Sequence, residues 1–295
     1  MNLRAELNRL RKIAESRKTN RPALTELKAD RAAVLTMAKV TPDKWQRDLL
    51  RAKPHRGLAL CSRQSGKSTG AAADCMATAY TQPGALVLIV SPTLRQSQEL
   101  FRKCVALHRA LGRPVAAESI SKTALELVNG SRVVALPGDP NGLVGFSNPA
   151  LIVIDEASRV PDETYFSVRP MVALGGRLLL TSTPFGPRGF FHREWTEGGA
   201  GWNRLRVTAD QCPRIPKTVL EDELRALGPK WFNQEYCCSF EDNAGAVFDH
   251  ADIMAACAEP EWLKTSDVAE PRAAKNPEHQ RLRDEAIQAV GMMRL

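Results

Sequence analysis

The chain has 295 residues and carries 41 Lys and Arg residues against 33 Asp and Glu residues, so its net charge is +8. It can form one large or two modest domains with a packed core, and neither a signal peptide nor a run of about 18 apolar residues is visible, which argues against a membrane protein. The seven cysteines show no C-x-x-C pair or zinc spacing, so we expect reduced thiols in a soluble protein of the cytoplasm.

Residues 1–40 are predicted to form basic helices. Apolar residues recur at helical spacing over residues 3–13 and again over residues 24–37, and Pro22 is expected to separate the two segments. Ten Lys or Arg and four Asp or Glu residues place +6 of the net charge here. The excess suits a phosphate backbone but is also typical of a solvated helix, so the helices could dock on the domain, contact DNA or bind another subunit.

Trp45 and Gln46 lie just ahead of the first predicted strand. The indole of Trp45 is more typical of a core anchor than of a stacking platform. A Gln amide can pair with N6 and N7 of adenine, because it offers an acceptor and a donor together. Since a phosphate loop follows, binding of adenine is the favoured interpretation of this pair.

Residues 57–80 predict a strand, a tight loop and a helix. Residues 58–61 are apolar, and an alanine-rich helix follows the loop at residues 62–69. Backbone N–H groups and the positive end of a helix converge on one anion in such a loop. Lys67 is expected to reach the β- and γ-phosphates of ATP, and the Ser68 hydroxyl to bind Mg²⁺. The loop residues expected to contact the nucleotide are Ser62, Gln64, Ser65, Gly66, Lys67, Ser68 and Thr69.

This loop departs from the pattern G-x-x-x-x-G-K-[ST] at one position, since Cys61 stands where the first glycine belongs. The alternative is an ordinary strand-to-helix turn with a solvated lysine. The flanking strand and helix, together with an acidic strand further along the chain, favour the phosphate loop.

The next part of the chain predicts a strand, a helix and a hairpin. Residues 85–91 form a continuous apolar run, and residues 96–111 have helical spacing that stops at Gly112. Asn129-Gly130 lies between two β-prone runs and predicts a hairpin over residues 124–136. Residues 137–142 are predicted to be an exposed loop.

Asp155 and Glu156 follow four aliphatic residues that predict a central parallel strand. Open α/β sheets bind ligands at the carboxyl ends of their strands. We expect Asp155 to hold Mg²⁺, directly or through water, and Glu156 to polarise the water that attacks the γ-phosphate. Alternatively, the two acids cap a following helix, but the phosphate loop favours the catalytic interpretation.

A further buried strand at residues 177–181 leads into a segment rich in Pro and Gly at residues 182–189. Thr183 is the candidate sensor of the γ-phosphate, although an ordinary turn explains the segment equally well. Residues 205–208 predict a last strand.

The C-terminal part begins with a predicted helical subdomain at residues 217–240, in which four aromatic residues are expected in the core. They are Trp231, Phe232, Tyr236 and Phe240. Residues 260–295 are expected to be a linker with one marginal helix near residues 280–290.

Taken in order, these motifs resemble the ATPase portion of the large terminase subunit, the motor that packages DNA into the heads of tailed phages. Trp45-Gln46 is similar to the family's adenine motif, and residues 62–68 are similar to its variant phosphate loop. Residues 152–157 resemble its acidic strand motif, and residues 182–186 resemble its coupling motif. The resemblance covers about residues 41–250. It implies an α/β P-loop NTPase fold with a mainly parallel sheet flanked by helices and a small helical lid. It also implies ATP and Mg²⁺ as cofactors, and as partners double-stranded DNA, a terminase small subunit, the portal protein of a procapsid and further copies in a ring.

The sequence departs from the family's pattern in two places. Val144-Gly145 stands where the family often has an Arg-Gly pair, so Arg63 in the phosphate loop becomes the candidate catalytic arginine. Residues 247–249 resemble the approach to the family's RNase H-like nuclease domain, yet residues 250–295 are too few for that fold. We therefore expect no nuclease activity from this chain.

The predicted organisation is a basic segment at residues 1–40, a P-loop ATPase domain at residues 41–245 with a lid from about residue 205, and a tail at residues 246–295. Our first hypothesis is a packaging motor that hydrolyses ATP and translocates double-stranded DNA into a procapsid. A helicase-type translocase is the second, since superfamily 2 helicases share the first three features, although their downstream Q-x-x-G-R-x-x-R-type motif is not found here. A truncated prophage remnant without turnover is the third, and the expected lack of a nuclease domain, together with Val144, favours it.

Overall fold

The computed structural model describes residues 21–52, 55–173 and 175–241, all of which belong to one compact unit. The predictions made for residues 1–20 and 242–295, including the helices near residues 3–13 and 280–290, lie outside the described residues. In the described part, no helix is both long and apolar enough to cross a membrane.

Eight strands form one sheet in the described part of the chain. They are β1 (Arg56–Cys61), β2 (Leu86–Ser91), β3 (Ala117–Ile120), β4 (Ala124–Leu127), β5 (Arg132–Pro137), β6 (Leu151–Asp155), β7 (Arg177–Ser182) and β8 (Asn203–Val207). Their order across the sheet is β3-β4-β5-β2-β6-β7-β1-β8. In this spatial order, every pair of neighbours from β5 across to β8 is parallel. At the other edge, β3 pairs with β4 and β4 pairs with β5 in antiparallel orientation. The predicted mainly parallel α/β sheet is therefore confirmed.

Helices cover both faces of this sheet. They are α1 (Arg21–Ala29), α2 (Ala33–Met37), α3 (Lys44–Arg51), α4 (Lys67–Thr81), α5 (Leu94–Ala110), α6 (Asp162–Met171), α7 (Gly189–Thr196) and α8 (Lys217–Cys237). Short 3₁₀ helices span Pro140–Leu143, Ala157–Arg159 and Ala209–Gln211.

The core has two layers because successive side chains of a strand point to opposite faces. Ile89 and Val153 face a layer that contains Met76 of α4, while Leu88 and Ile152 face the opposite layer. β2 and β6 are buried along their whole length, as expected for parallel strands covered on both sides. The phosphate loop and the acidic residues therefore extend from a rigid, dry centre of the sheet.

The described part of the basic N-terminal segment docks on the domain. Leu27, Val34 and Leu35 are fully buried in the same core layer as α4. The segment at residues 24–37 is not one helix, because the chain breaks between α1 and α2. Docking, one of the three alternatives for this segment, is what the structure shows for residues 21–37.

The hairpin over residues 124–136 is confirmed, with β4 and β5 paired across Asn129-Gly130. β3 was not predicted, and it extends the hairpin by one edge strand. Residues 137–142 are exposed or half-buried, as expected for a surface loop, but the prediction of a loop is wrong in part because a 3₁₀ helix spans Pro140–Leu143.

The prediction for the C-terminal aromatic residues is wrong for Trp231, whose side chain is 49% exposed, and right for buried Tyr236. α8 bends at Gly228, which has a φ of 73°, so the helical spacing does not run unbroken through the segment. β8 pairs with β1 as a full member of the sheet. In the described part of the range expected for the lid, β8 is followed by the 3₁₀ helix Ala209–Gln211 and by α8.

Candidate functional site: a phosphate loop facing two acids

The loop between β1 and α4 is held in place by two later elements of the chain. The backbone N–H of Ser62 donates to the carbonyl of Val207 at the end of β8, at 2.8 Å. The N–H of Arg63 donates to the carbonyl of Glu235 in α8, at 2.9 Å. Within the loop, Ser65 Oγ donates to the carbonyl of Ser62 at 2.8 Å. The loop is thus fixed before any ligand binds, as a phosphate cradle requires.

Gly66 opens α4 with a φ of 87°, a conformation that disfavours side chains. A Cβ at this position would lie 2.7 Å from Arg214 Nη2 and 2.9 Å from Gln46 Nε2. Glycine is therefore favoured here by backbone conformation, and a side chain would also displace the Arg214 guanidinium and the Gln46 amide that contact the loop.

Cys61 explains why the first glycine of the pattern can be absent. It is the last residue of β1, fully buried, and pairs with Val207 in the parallel ladder. Its backbone is not among those with a positive φ, so a side chain is tolerated. Burial raises the pKa of the Cys61 thiol, which makes it an unreactive core residue.

Lys67 meets the two acids at the carboxyl end of β6. Its Nζ donates to Glu156 Oε1 and lies 3.7 Å from Asp155 Oδ1. Thr181 Oγ1 on β7 donates to Asp155 Oδ1 at 2.7 Å and orients that carboxylate. Burial opposes the charge of Lys67, but Asp155 and Glu156 outweigh it and hold the pKa of Lys67 above its ordinary value. The structure thus brings together groups that lie about 90 positions apart in the sequence.

Glu156 has a left-handed backbone with a φ of 55°, which is uncommon outside glycine. The following 3₁₀ turn is tied to β7, because Ser158 N donates to Ser182 Oγ at 3.1 Å and Ser158 Oγ donates to the Thr183 carbonyl at 2.8 Å. Arg159 Nη1 donates to Thr183 Oγ1 at 3.2 Å. The candidate sensor Thr183 is thus hydrogen-bonded to the turn that follows the acidic strand. Glu156 and Thr183 both line the same cavity.

That cavity has a volume of about 560 Å³, which suits a small ligand. Its wall consists of Ser62, Arg63, Gln64, Ser65, Gly66, Lys67, Ser68, Gln96, Lys103, Glu156, Arg159 and Thr183. Of the other predicted residues, Asp155 lies next to Lys67 and Thr69 lies in the first turn of α4, but neither lines the cavity.

The structure places Trp45 and Gln46 against the loop. Trp45 is buried, and its ring packs on the position of Gly70 in α4, as expected for a core anchor. Gln46 Oε1 accepts from the Asp43 N–H at 2.9 Å, and Gln46 Nε2 donates to the Gly66 carbonyl at 3.1 Å. Gln46 thus supports the phosphate loop, and its contact with adenine stays a prediction.

Several site residues were missed by the sequence analysis. Arg214 Nη2 donates to the Ser65 carbonyl at 2.7 Å and to Asp43 Oδ2 at 2.5 Å. Glu235 of α8 is buried, and its Oε2 accepts from Arg63 Nε at 2.7 Å. Arg159 was missed as well. No repeat or motif marks these charges, and the Pro-rich surroundings of Arg214 indicate only a turn.

Val144 stands where the family often has an arginine, and Arg63 is the predicted catalytic arginine; the two residues lie in different surroundings. Val144 is 81% exposed at the end of a 3₁₀ helix. Arg63 lines the cavity, and its guanidinium is held by Glu235.

A phosphate loop at the end of a buried strand, a second acidic strand, and a parallel sheet between helices define the P-loop NTPase fold. The family model for "Terminase large subunit, T4likevirus-type, N-terminal" matches residues 58–254, and the chain belongs to this family.

Curated relatives include the large terminase subunits of Thermus phage G20c (24% identical over 268 residues, 74% of this chain and 55% of the relative) and of Escherichia phage T5 (26% identical over 237 residues, 74% and 52%). The chain spans about half the length of these relatives.

Solved structures agree on the fold. The large terminase ATPase domain of Thermus phage P74-26 is similar with a TM-score of 0.62 and 21% identity, over 70% of this chain and 96% of that one. The large terminase of the thermophilic bacteriophage D6E in complex with ADP has a TM-score of 0.57 and 14% identity, over 68% of this chain and 54% of that one.

Proposed function

We propose that this chain binds ATP with Mg²⁺ in the cavity at the phosphate loop and hydrolyses it, as the motor part of a large terminase subunit. The observation that carries the proposal is the meeting of Lys67 with Asp155 and Glu156 beside the loop. The large terminase of D6E, which shares this fold, was solved with ADP, and this supports a nucleotide as the ligand.

The residues present fit a magnesium ion. Mg²⁺ prefers oxygen ligands, and the candidates are the hydroxyl of Ser68, which lines the cavity, and the carboxylate of Asp155, which lies 3.7 Å from Lys67 Nζ. The ammonium group of Lys67 already lies beside the two carboxylates, so this point of the site favours positive charge. When bound, the metal would neutralise phosphate charge.

The remaining roles belong to the chain's own groups. Lys67 would turn from Glu156 to the β- and γ-phosphates, which frees Glu156 to orient and polarise the attacking water. Arg63 would stabilise the charge of the transition state, and Thr183 would respond to the γ-phosphate. The other predicted residues would hold the nucleotide or the loop that binds it. They are Trp45, Gln46, Ser62, Gln64, Ser65, Gly66 and Thr69.

The test is steady-state ATP hydrolysis with and without double-stranded DNA. We expect Lys67→Ala and Glu156→Gln each to lower turnover by about 10²-fold or more, while Glu156→Gln still binds ATP. Lys44→Ala is the matched control, since Lys44 is an exposed lysine that pairs with Asp48 away from the cavity. Unchanged turnover in Glu156→Gln removes the general-base assignment, and strand displacement on a short duplex would favour the helicase alternative.

We further propose that the chain uses this hydrolysis to move double-stranded DNA into a procapsid in the host cytoplasm, in a ring of its own copies, with a terminase small subunit and a portal protein as partners. Family membership supports this proposal, although the relatives are about twice as long. DNA dependence and the expected lack of nuclease activity are measured in the same preparation, by ATP turnover and by the integrity of the added DNA.

A salt titration of DNA binding tests the basic N-terminus. Arg31 is bound by buried Asp74 and Leu27 is in the core, so residues from 21 onward must stay. We expect a chain that starts at Arg21 to show a flatter dependence of log K on log salt, by about 0.9 for each phosphate that residues 1–20 would otherwise neutralise. Equal slopes would show that residues 1–20 do not contact DNA.

A further inference from the structure

Arg159 lies in the cavity wall and is held there by weak contacts. Its Nη1 lies 3.7 Å from Glu156 Oε2, and its Nη2 lies 3.7 Å from Glu235 Oε1. These separations are ion pairs, not hydrogen bonds. In the described part of the chain, the bond to Thr183 at 3.2 Å is the hydrogen bond that this guanidinium makes. A guanidinium has five N–H donors, so Arg159 has capacity left for further acceptors.

Two neighbours nevertheless keep Arg159 at the cavity wall. Its guanidinium carbon lies 4.4 Å from the ring centroid of Phe185, in a cation–π contact. Ser158, its neighbour, is anchored to the end of β7. The side chain is 28% exposed, and it shares the cavity wall with Lys67 and Ser68. Phosphate oxygens bound at the loop would thus face a guanidinium that is already oriented.

The charge around Arg159 depends on one residue of α8. Glu235 is buried and holds two arginines with its two oxygens, Arg63 on Oε2 at 2.7 Å and Arg159 on Oε1 at 3.7 Å. A terminal phosphate would compete with Glu235 for Arg159, because a guanidinium can form a bidentate pair with phosphate, whereas its contact with Glu235 at 3.7 Å is longer than a hydrogen bond. The longer of the two contacts is the one that would break first.

We propose that Arg159 is a residue that distinguishes ATP from ADP: it leaves Glu156 and Glu235 to bind the terminal phosphate, and Glu235 is the counterion that competes for it. This inference rests on the proposed function, since it requires a nucleotide in the cavity. It also names α8 as the element that responds to nucleotide, because Glu235 keeps Arg63 and releases Arg159 when a terminal phosphate is present.

The test compares the affinities of the full chain for ATP-γ-S and for ADP, by displacement of a fluorescent nucleotide. Arg159→Ala is expected to weaken binding of ATP-γ-S by about tenfold or more and to leave ADP within about twofold, because the variant cannot make the charged hydrogen bond to the terminal phosphate. Glu235→Gln is expected to raise the ratio of the affinity for ATP-γ-S to the affinity for ADP, because the charge that competes with the terminal phosphate for Arg159 is removed. A purely structural role of either residue would weaken both nucleotides alike.

Arg188→Ala is the matched control, because Arg188 contacts the same Phe185 ring at 4.6 Å without lining the cavity. Its ratio of affinities is expected to equal that of the unmodified chain. If Arg159→Ala does not fold, Arg159→Lys takes its place, with a smaller effect in the same direction. An unmodified chain that binds neither nucleotide contradicts the proposed function, whereas normal binding with an unchanged ratio in the Arg159 variants overturns only this inference.

Discussion

Replacing Asp74 by Asn is expected to destabilise the fold strongly, although the two side chains have the same shape. Asp74 lies in α4 and is fully buried, and its Oδ1 accepts from Arg31 Nη2 and, at 2.9 Å, from Arg177 Nη1. The three residues come from the α1–α2 connection, from α4 and from β7. One carboxylate therefore pairs with two guanidinium groups from distant parts of the chain.

The magnitude follows from what Asp74→Asn leaves behind. Removing one partner of a buried ion pair costs about 3–5 kcal/mol, because the remaining charge is uncompensated. Arg31 and Arg177 are 21% and 19% exposed, so water reaches them in part and the lower end, about 3 kcal/mol, applies. For a domain of this size, this corresponds to a fall in melting temperature of about 6–12 °C.

The assay is urea unfolding of the full chain followed by circular dichroism, together with a thermal melt. Arg225→Ala is the control, since Arg225 and Asp222 form an exposed Arg–Asp pair that contributes less than about 0.5 kcal/mol. A free energy of unfolding for Asp74→Asn within about 1 kcal/mol of the unmodified chain would refute the reasoning.

The pH dependence gives a second check on Asp74. Burial opposes the charge, but Arg177 and Arg31 outweigh it and hold the pKa of Asp74 below its ordinary value. The stabilisation is thus complete above about pH 4 and is lost as the pH falls through the lower, folded-state pKa. The Asn variant should therefore lose less stability than the unmodified chain on going into this acid range.

Gly66→Ala is expected to weaken nucleotide binding by about tenfold or more in an equilibrium titration, because the added Cβ would lie 2.7 Å from Arg214 Nη2 on a backbone with a φ of 87°. Cys61→Gly restores the regular motif, yet we expect no gain in ATP turnover and a loss of about 1–2 kcal/mol in urea, because a buried strand side chain is deleted. Nδ1 of His108 forms a hydrogen bond with the Tyr80 hydroxyl at 2.8 Å. Burial, together with nearby Arg side chains, lowers the pKa of His108 to about 4. Between about pH 6.5 and pH 4 the unfolded chain binds the extra proton and the folded chain does not, so stability should fall as the pH is lowered, and His108→Gln should remove this part of the slope.

The strands that carry the site could be predicted because their signals are local. Aliphatic runs end at Cys61, at Ser91 and at Asp155, and each run is a buried parallel strand in the structure. Asn129-Gly130 likewise favours its hairpin locally, because Gly130 has a φ of 83° and Asn129 Oδ1 accepts from the Ser131 N–H at 3.0 Å. Such features depend on a few neighbouring residues, so they can be inferred without knowing the rest of the fold.

Trp231 shows where local reasoning fails. Helical spacing over residues 217–240 indicates one continuous helix, and the prediction placed all of its aromatic residues in the core. Phe232 and Tyr236 are four positions apart and share a face of the helix, whereas Trp231 lies about 100° around the helix from Phe232 and is exposed. The helix also breaks at Gly228, ahead of these residues. Gly228-Pro229 in the sequence is a turn signal and could have predicted this bend.

The charged residues around the nucleotide cavity could not be predicted in the same way. Glu235 reaches Arg63 across 172 positions of sequence, and Arg214 reaches Ser65 across 149. Each is one of many charges in the chain, and only the folded structure selects which of them meet. The sequence motifs therefore located the phosphate loop and the residues Asp155, Glu156 and Thr183 that face it, but not Glu235, Arg214 and Arg159.

The contacts around the loop differ in strength, and the difference indicates where the site can move. On the side of α4, Asp74 and Arg214 make hydrogen bonds of 2.9 Å or less that hold the helix and the loop. On the cavity side, Arg159 approaches both of its carboxylate partners no closer than 3.7 Å. A side chain is displaced by a ligand at least cost where its contacts are longest. We therefore expect α4 to keep its position when a ligand binds and the Arg159 side chain to move.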